Sequence, residues 1–172
     1  MPMYELDGRI PTIDASAFIH PEAVLIGDVR IGKRTSVWPT AVLRGDSSYI
    51  SIGDETSIQD GTIIHCQTNN PTIIGSRCVI GHNTHLEGCV VEDKCLIGSG
   101  STVLEEALIK SGALVAAQSL VPPGKLVPER ALAMGVPVKI RENSVAENIF
   151  EEGVEHYLHL CDLYKRSMKR ID

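Results

Sequence analysis

Residues 91–121 read VEDKCL-IGSGST-VLEEAL-IKSGAL-VAAQSL-V, and the same chemistry returns at every sixth position. The recurring aliphatics are Val91, Ile97, Val103, Ile109, Val115 and Val121. Four residues after each of the first five comes a small side chain: Cys95, Ser101, Ala107, Ala113 and Ser119. The pattern extends outward from this stretch. An earlier run carries Ile13, Ile19, Leu25, Ile31, Val37 and Leu43 in one phase, followed by Ala17, Ala23, Val29, Thr35, Ala41 and Ser47. The register slips near Tyr49 and resumes at Ile52, Ile58 and Ile64, with Thr56, Thr62 and Thr68. It slips again at Asn70–Ile73 and resumes at Ile74, Ile80 and Leu86, with Cys78, Thr84 and Val90; one residue is then dropped. Six aliphatics in phase arise by chance roughly once in a few thousand draws, so the repeat is a signal of architecture. It fails at Lys125, where the repeat is expected to end.

Six residues suit one short strand and one corner. Glycine follows many of the aliphatics (Gly32, Gly53, Gly75, Gly81 and Gly98) and lets the chain turn there without a Cβ clash. Three sides close a triangular coil, and eighteen repeats predict six coils, a prism roughly 29 Å long at about 4.8 Å per layer. A sandwich of short strands would instead turn every 8–12 residues. The expected class is an all-β solenoid of hexapeptide repeats. Its core is narrow, which accounts for an aromatic content of only 4% in 172 residues. Trp38 and Tyr49 fall outside the inward positions, so the rings belong at interfaces or beneath the C-terminal segment.

After the coil come Pro122-Pro123-Gly124, an extended stretch through Ala133–Lys139, and Ser144-Val145-Ala146-Glu147, which reads as a capping box. Val145, Ile149, Val154, Tyr157, Leu158, Cys161, Tyr164 and Met168 form an apolar stripe at helical spacing, predicting a helix over about 145–170. The division expected is residues 1–143 for the solenoid and 144–172 for a C-terminal α-helix packed on it.

The bulk numbers exclude several classes. A net charge of -6 argues against a nucleic-acid partner. No apolar run is long enough to span a membrane, and Met1–Ile13 lacks the pattern of a signal peptide. Five scattered cysteines with no Cys-x-x-Cys pair suggest neither a zinc ribbon nor a disulfide framework. The expected compartment is the cytoplasm.

Three motifs stand out: Val42-Leu43-Arg44-Gly45-Asp46, Ile58-Gln59-Asp60-Gly61-Thr62-Ile63-Ile64-His65 and Gly81-His82. With the repeats and the final helix they resemble the γ-class carbonic anhydrase-like family over about residues 10–170. The resemblance implies a left-handed parallel β-helix, a homotrimer with metal sites between subunits, and zinc (or iron or cobalt) held by three histidines. Two are matched by His65 and His82. The segment that carries the third is Leu86-Glu87-Gly88-Cys89 here, so Glu87 replaces that histidine, and His85 lies two residues before it.

The register tests this assignment. His65 follows Ile64 and Glu87 follows Leu86, three repeats apart, so the two stack on one outward face with Arg44 in the same column. His85 shares that face by strand alternation. His82 shares a column with Asp60, nearer a corner, where a residue more readily reaches a neighbouring subunit.

Candidate metal ligands are therefore His65, His82 and Glu87, with His85 as the alternative that completes the set. Gln59 and Asp60 match groups that orient the bound water, and Arg44 and Asp46 match an intersubunit ion pair. Three ligands with an open position form the catalytic zinc pattern. The implied chemistry is hydration of carbon dioxide to bicarbonate by a metal-bound hydroxide. Two other readings stay open. One is a coenzyme A-dependent acyltransferase on the same fold, because fold does not fix function. The other is a non-catalytic assembly subunit with a degenerate site.

Overall fold

Each repeat supplies one short strand and one corner, and three repeats close a turn of a parallel β-solenoid. The computed structural model describes residues 2–172. The inward aliphatics stack layer on layer in three columns. One runs Leu25, Leu43, Ile64, Leu86, Val103 and Val121. The second runs Ile31, Ile52, Ile74, Val91, Ile109 and Val127. The third runs Val37, Ile58, Ile80, Ile97, Val115 and Ala133. These residues are buried and form one continuous aliphatic core with no aromatic ring in it.

The coil is longer than the repeat count predicts, at about seven turns instead of six. The pattern does not stop at Lys125, because Val127 and Ala133 continue the inward columns fully buried. Lys125 occupies a small-residue position near the open end, where a long aliphatic stem can carry its charge out to water. The last turn is closed by an antiparallel strand, Lys139–Arg141 on Leu132–Met134.

The two slips in the repeat are insertions at one corner. Val29 pairs with Ile50 directly after Gly27 pairs with Gly45, so Asp46–Tyr49 hold extra chain. Ile50 in turn pairs with Thr72. The small inward positions shift accordingly. Ser47 and Thr68 are exposed, while Ile50, Cys66 and Thr72 are buried; one layer on, Cys89 is inward instead of Val90. Elsewhere small polar side chains seal the corners. Thr35 and Thr56 donate to the carbonyls of Gly53 and Gly75 at 2.6 and 2.7 Å, and the Cys78 and Cys95 thiols donate to Glu92 and Lys110 at 3.1 Å.

The helix spans Glu151–Ser167, shorter than the apolar stripe predicts. The capping box is not used: Phe150 is the N-cap, and the Ser144 hydroxyl bonds the Glu142 carbonyl. Residues 147–150 form turns instead of helix. The helix runs back over the early turns. Phe18 and Trp38 pack with Cys161, Tyr157 and Tyr164, and Val79 packs with Val154 and Leu158. Lys165 donates to the Ser16 carbonyl at 2.8 Å. Four of the seven rings, Phe18, Trp38, Tyr157 and Tyr164, therefore meet between the helix and the coil, while Tyr4 is exposed and Tyr49 lies against Arg30.

Arg77 pins the start of the helix by contacts to Glu151 and Glu155, and it also meets Glu55. The Arg77 hydrogen bond holds the Glu151 carboxyl below its ordinary 4.5, against the effect of burial. A depressed carboxylate contributes stability that is present above its ordinary pKa and is lost as pH falls through the folded value. Acidification below about 4.5 should therefore loosen the helix by about 1 kcal/mol, a modest figure because the pair is partly exposed. Trp38 reports the change: its emission should shift to the red in that range in the native chain. Glu151→Gln should show part of the shift already at pH 7.

Candidate metal centre

The face that carries the first inward column also carries an outward column, in which Arg44 pairs with His65 and His65 with Glu87. Adjacent parallel strands lie about 4.8 Å apart, close enough for outward side chains to meet. The His65 ring sits between two carboxylates, with Nδ1 3.0 Å from Glu87 Oε1 and Nε2 2.8 Å from Asp46 Oδ1. His85 Nε2 lies 3.2 Å from the other oxygen of Glu87. Arg44 pairs with Asp46 inside the protomer. Arg44, Asp46, His65, Glu87 and His85 thus form one continuous polar chain across three turns.

Burial works against ionisation of both carboxylates here, and hydrogen bonds outweigh it. His65 and Arg44 hold Asp46 at about 2. His65, His85 and Gln67 hold Glu87 below its ordinary 4.5. Both are therefore anionic at neutral pH and can act as acceptors or ligands.

His82 is elsewhere. It follows the strand Val79–Ile80 on another face of the prism. Its Nδ1 lies 2.9 Å from Asp60 Oδ2, and both side chains are about half exposed. Gln59 is buried next to Asp60. The helix brings Tyr157 to this group: burial and then the Asp60 charge raise its pKa, partly offset by a hydrogen bond from Gln59. His82, Gln59 and Tyr157 line one cavity of about 400 Å³, and His65, Glu87 and Gln67 line another of about 390 Å³.

The eight predicted residues thus fall into two groups. Arg44, Asp46, His65, His85 and Glu87 come together; Gln59, Asp60 and His82 form the second set. Among the described residues no three His, Cys, Asp or Glu side chains of one protomer converge to hold a metal ion. Two donors lie close together: His65 Nδ1 and Glu87 Oε1 are 3.0 Å apart as a hydrogen-bonded pair, and a small separation, to about 3.4 Å, would let both ligate one tetrahedral ion with bonds of about 2.1 Å. A third donor must come from outside the protomer or from rearrangement within it.

Two site residues were not singled out by sequence. Tyr157 was read as one member of the helical stripe, and only the docking of the helix shows its neighbours. Gln67 lies in the second insertion, and the slip in the repeat at Asn70–Ile73 is the nearest signal in the sequence.

Comparison with known proteins locates the chain. Residues 71–105 match the family described as bacterial transferase hexapeptide (six repeats). The chain is 44% identical over 149 residues to a carbonic anhydrase of Geobacillus kaustophilus, covering 87% of this chain and 82% of that protein. It is 36% identical over 164 residues to the mitochondrial gamma carbonic anhydrase 2 of Arabidopsis thaliana, covering 91% of this chain but 59% of the plant protein, so it spans well short of that relative's length. Among solved structures, a hexapeptide transferase family protein from Anaplasma phagocytophilum superposes with a TM-score of 0.90 at 36% identity, over 95% of this chain and 98% of that one.

Proposed function

The chain belongs to the γ-class carbonic anhydrase-like family of hexapeptide-repeat proteins, and on that premise we propose that it hydrates carbon dioxide reversibly at a metal site shared between subunits of a homotrimer. The supporting observation is the pair His65 and Glu87, stacked on successive turns with donor atoms 3.0 Å apart and Glu87 ionised. The third ligand is His82 of a neighbouring subunit. In this reading Asp60 accepts the Nδ1 proton of His82, which fixes the tautomer and leaves Nε2 as the ligand atom. A bound divalent ion, zinc or alternatively iron or cobalt, supplies Lewis acidity toward water. His85 braces Glu87 from its second oxygen and can carry a proton at Nε2. Gln59, buried beneath Tyr157, orients the attacking water through its amide. Arg44 orients Asp46, and Asp46 holds the His65 ring from its other nitrogen. The cytoplasm remains the proposed compartment, consistent with five free, buried cysteines among the described residues.

Two observations favour other readings. The matched family is named for transferases, which supports a coenzyme A-dependent acyltransferase. Glu87 in place of the family's third histidine supports an assembly subunit with a degenerate site.

Metal content of protein purified without a histidine tag separates these. The proposal expects close to one zinc, iron or cobalt ion per subunit in the native chain and almost none in His65→Ala. A native chain that stays metal-free under zinc-replete, reducing conditions would point to the assembly role. Binding of acetyl-coenzyme A in place of metal would point to the transferase.

A further inference from the structure

The two insertions that interrupt the repeat stand at the same corner, and both border the cavity beside His65 and Glu87. A regular prism needs neither, and departures from a strict repeat concentrate where function is placed. The second insertion ends in a tight turn in which Gln67 and Asn70 exchange backbone hydrogen bonds of 2.9 and 3.0 Å. It is braced from below. The Thr72 hydroxyl bonds the His65 carbonyl and accepts from Gly88 N–H at 2.8 Å. Gly88 itself leaves room for Asn70, since a Cβ there would lie 3.1 Å from the Asn70 Cβ. The turn is thus held in place over the cavity.

Its chemistry is uniform. Gln67, Asn69 and Asn70 carry carboxamides, Thr68 and Ser47 carry hydroxyls, and no Lys or Arg lines the cavity. Gln67 Nε2 points toward Glu87 Oε1 at 3.5 Å. Each carboxamide offers two N–H donors and one acceptor without charge. A divalent ion held by two imidazoles and the Glu87 carboxylate leaves one net positive charge, which a single monoanion balances. A carboxylate bound there would have its polar remainder against the amide turn. The cavity has room for one: about 390 Å³ is the share of roughly a dozen waters at about 30 Å³ each. Even roughly half of that, with a neighbouring subunit filling the rest, exceeds the four non-hydrogen atoms of bicarbonate.

We propose that the turn Gln67–Asn70 is the specificity element of this site, and that it selects short monocarboxylates with a polar tail, of which bicarbonate is the smallest. This rests on the metal reading above, and the test keeps the two apart. Cobalt(II) is loaded into the full chain and its content measured; visible absorption is then titrated with acetate and with lactate. Lactate should bind about ten-fold more tightly than acetate, the effect of one or two added hydrogen bonds. In Asn69→Ala combined with Asn70→Ala the preference should fall to about two-fold or less with cobalt content unchanged. Gln67→Glu, which keeps the size and replaces a donor with a charge, should weaken lactate binding at least as much. Thermal melts of each variant confirm that the fold is intact. Equal affinities for the two anions, or a preference that survives both variants, would overturn the inference. Failure of cobalt to bind at all would remove the metal reading and this inference with it.

Discussion

Co-expressing His65→Ala and His82→Ala subunits in equal amounts should restore about one quarter of the native metal content, although either variant alone should hold almost none. The arithmetic follows from the symmetry of the proposed closed ring, in which each site would take one contribution from each of two neighbours. A site is intact only where a subunit that kept His65 meets a neighbour that kept His82, and random mixing produces that pairing at about one interface in four. The structure gives the reason to expect complementation. His65 and Glu87 share one face, while His82 is on another face, bonded to Asp60. If one protomer supplied every ligand, each variant would inactivate only its own sites and mixing would restore nothing. Elemental analysis of the mixed assembly, with sedimentation to show that both variants still assemble, decides between the two outcomes.

The second large effect concerns the glycine ladder at one corner. A Cβ on Gly53 would lie 2.6 Å from the backbone carbon of Gly75 and 2.7 Å from Ser76 N, and one on Gly32 would lie 2.6 Å from the Gly53 carbonyl carbon. The obstacle is the backbone of the next turn, which cannot rotate aside. Gly53→Ala must therefore spread two layers and weaken the hydrogen bonds between them. The expected loss is about 3 kcal/mol or more, at the upper end for overpacking. Gly153→Ala is the contrasting control. It lies within the helix Glu151–Ser167 with nothing within 4 Å of an added Cβ, so it should gain about 0.5–1 kcal/mol from helix propensity. Urea-unfolding midpoints measured side by side should move in opposite directions. A Gly53→Ala midpoint equal to that of the native chain would show that the corners are slacker than these distances imply.

Much of the architecture was legible because a short period leaves little freedom. Once Ile64 and Leu86 are placed inward, the pairing of His65 with Glu87 follows, as does the meeting of His85 with Glu87 across one strand. Three misreadings within the coil have a common cause. Thr68, Ser47 and Val90 were assigned inward by counting through the insertions, where local chain length and not the period decides which side chain faces in. Ser144 has the chemistry of an N-cap, but tertiary packing starts the helix at Glu151, so local propensity was overridden. Tyr157 could not be placed near Asp60 from sequence, because that contact depends on how the helix lies across the prism. His82 was named as a candidate ligand from sequence, but which residue it would meet across an interface was not legible, because nothing in a single protomer's repeat encodes which face a neighbour presents.

The path of the helix also bears on cooperativity. A stack in which each turn touches only its neighbours can peel from an exposed end one layer at a time. Here the final helix doubles back to the opening turns, with Tyr164 against Phe18 and Trp38 and Lys165 on Ser16. Peeling the first layers therefore also costs the contacts of the last residues, and an array that would fray becomes a single cooperative unit. On the ribosome the same wiring means that the early coils, though formed first, cannot be locked until the last part of the chain has emerged.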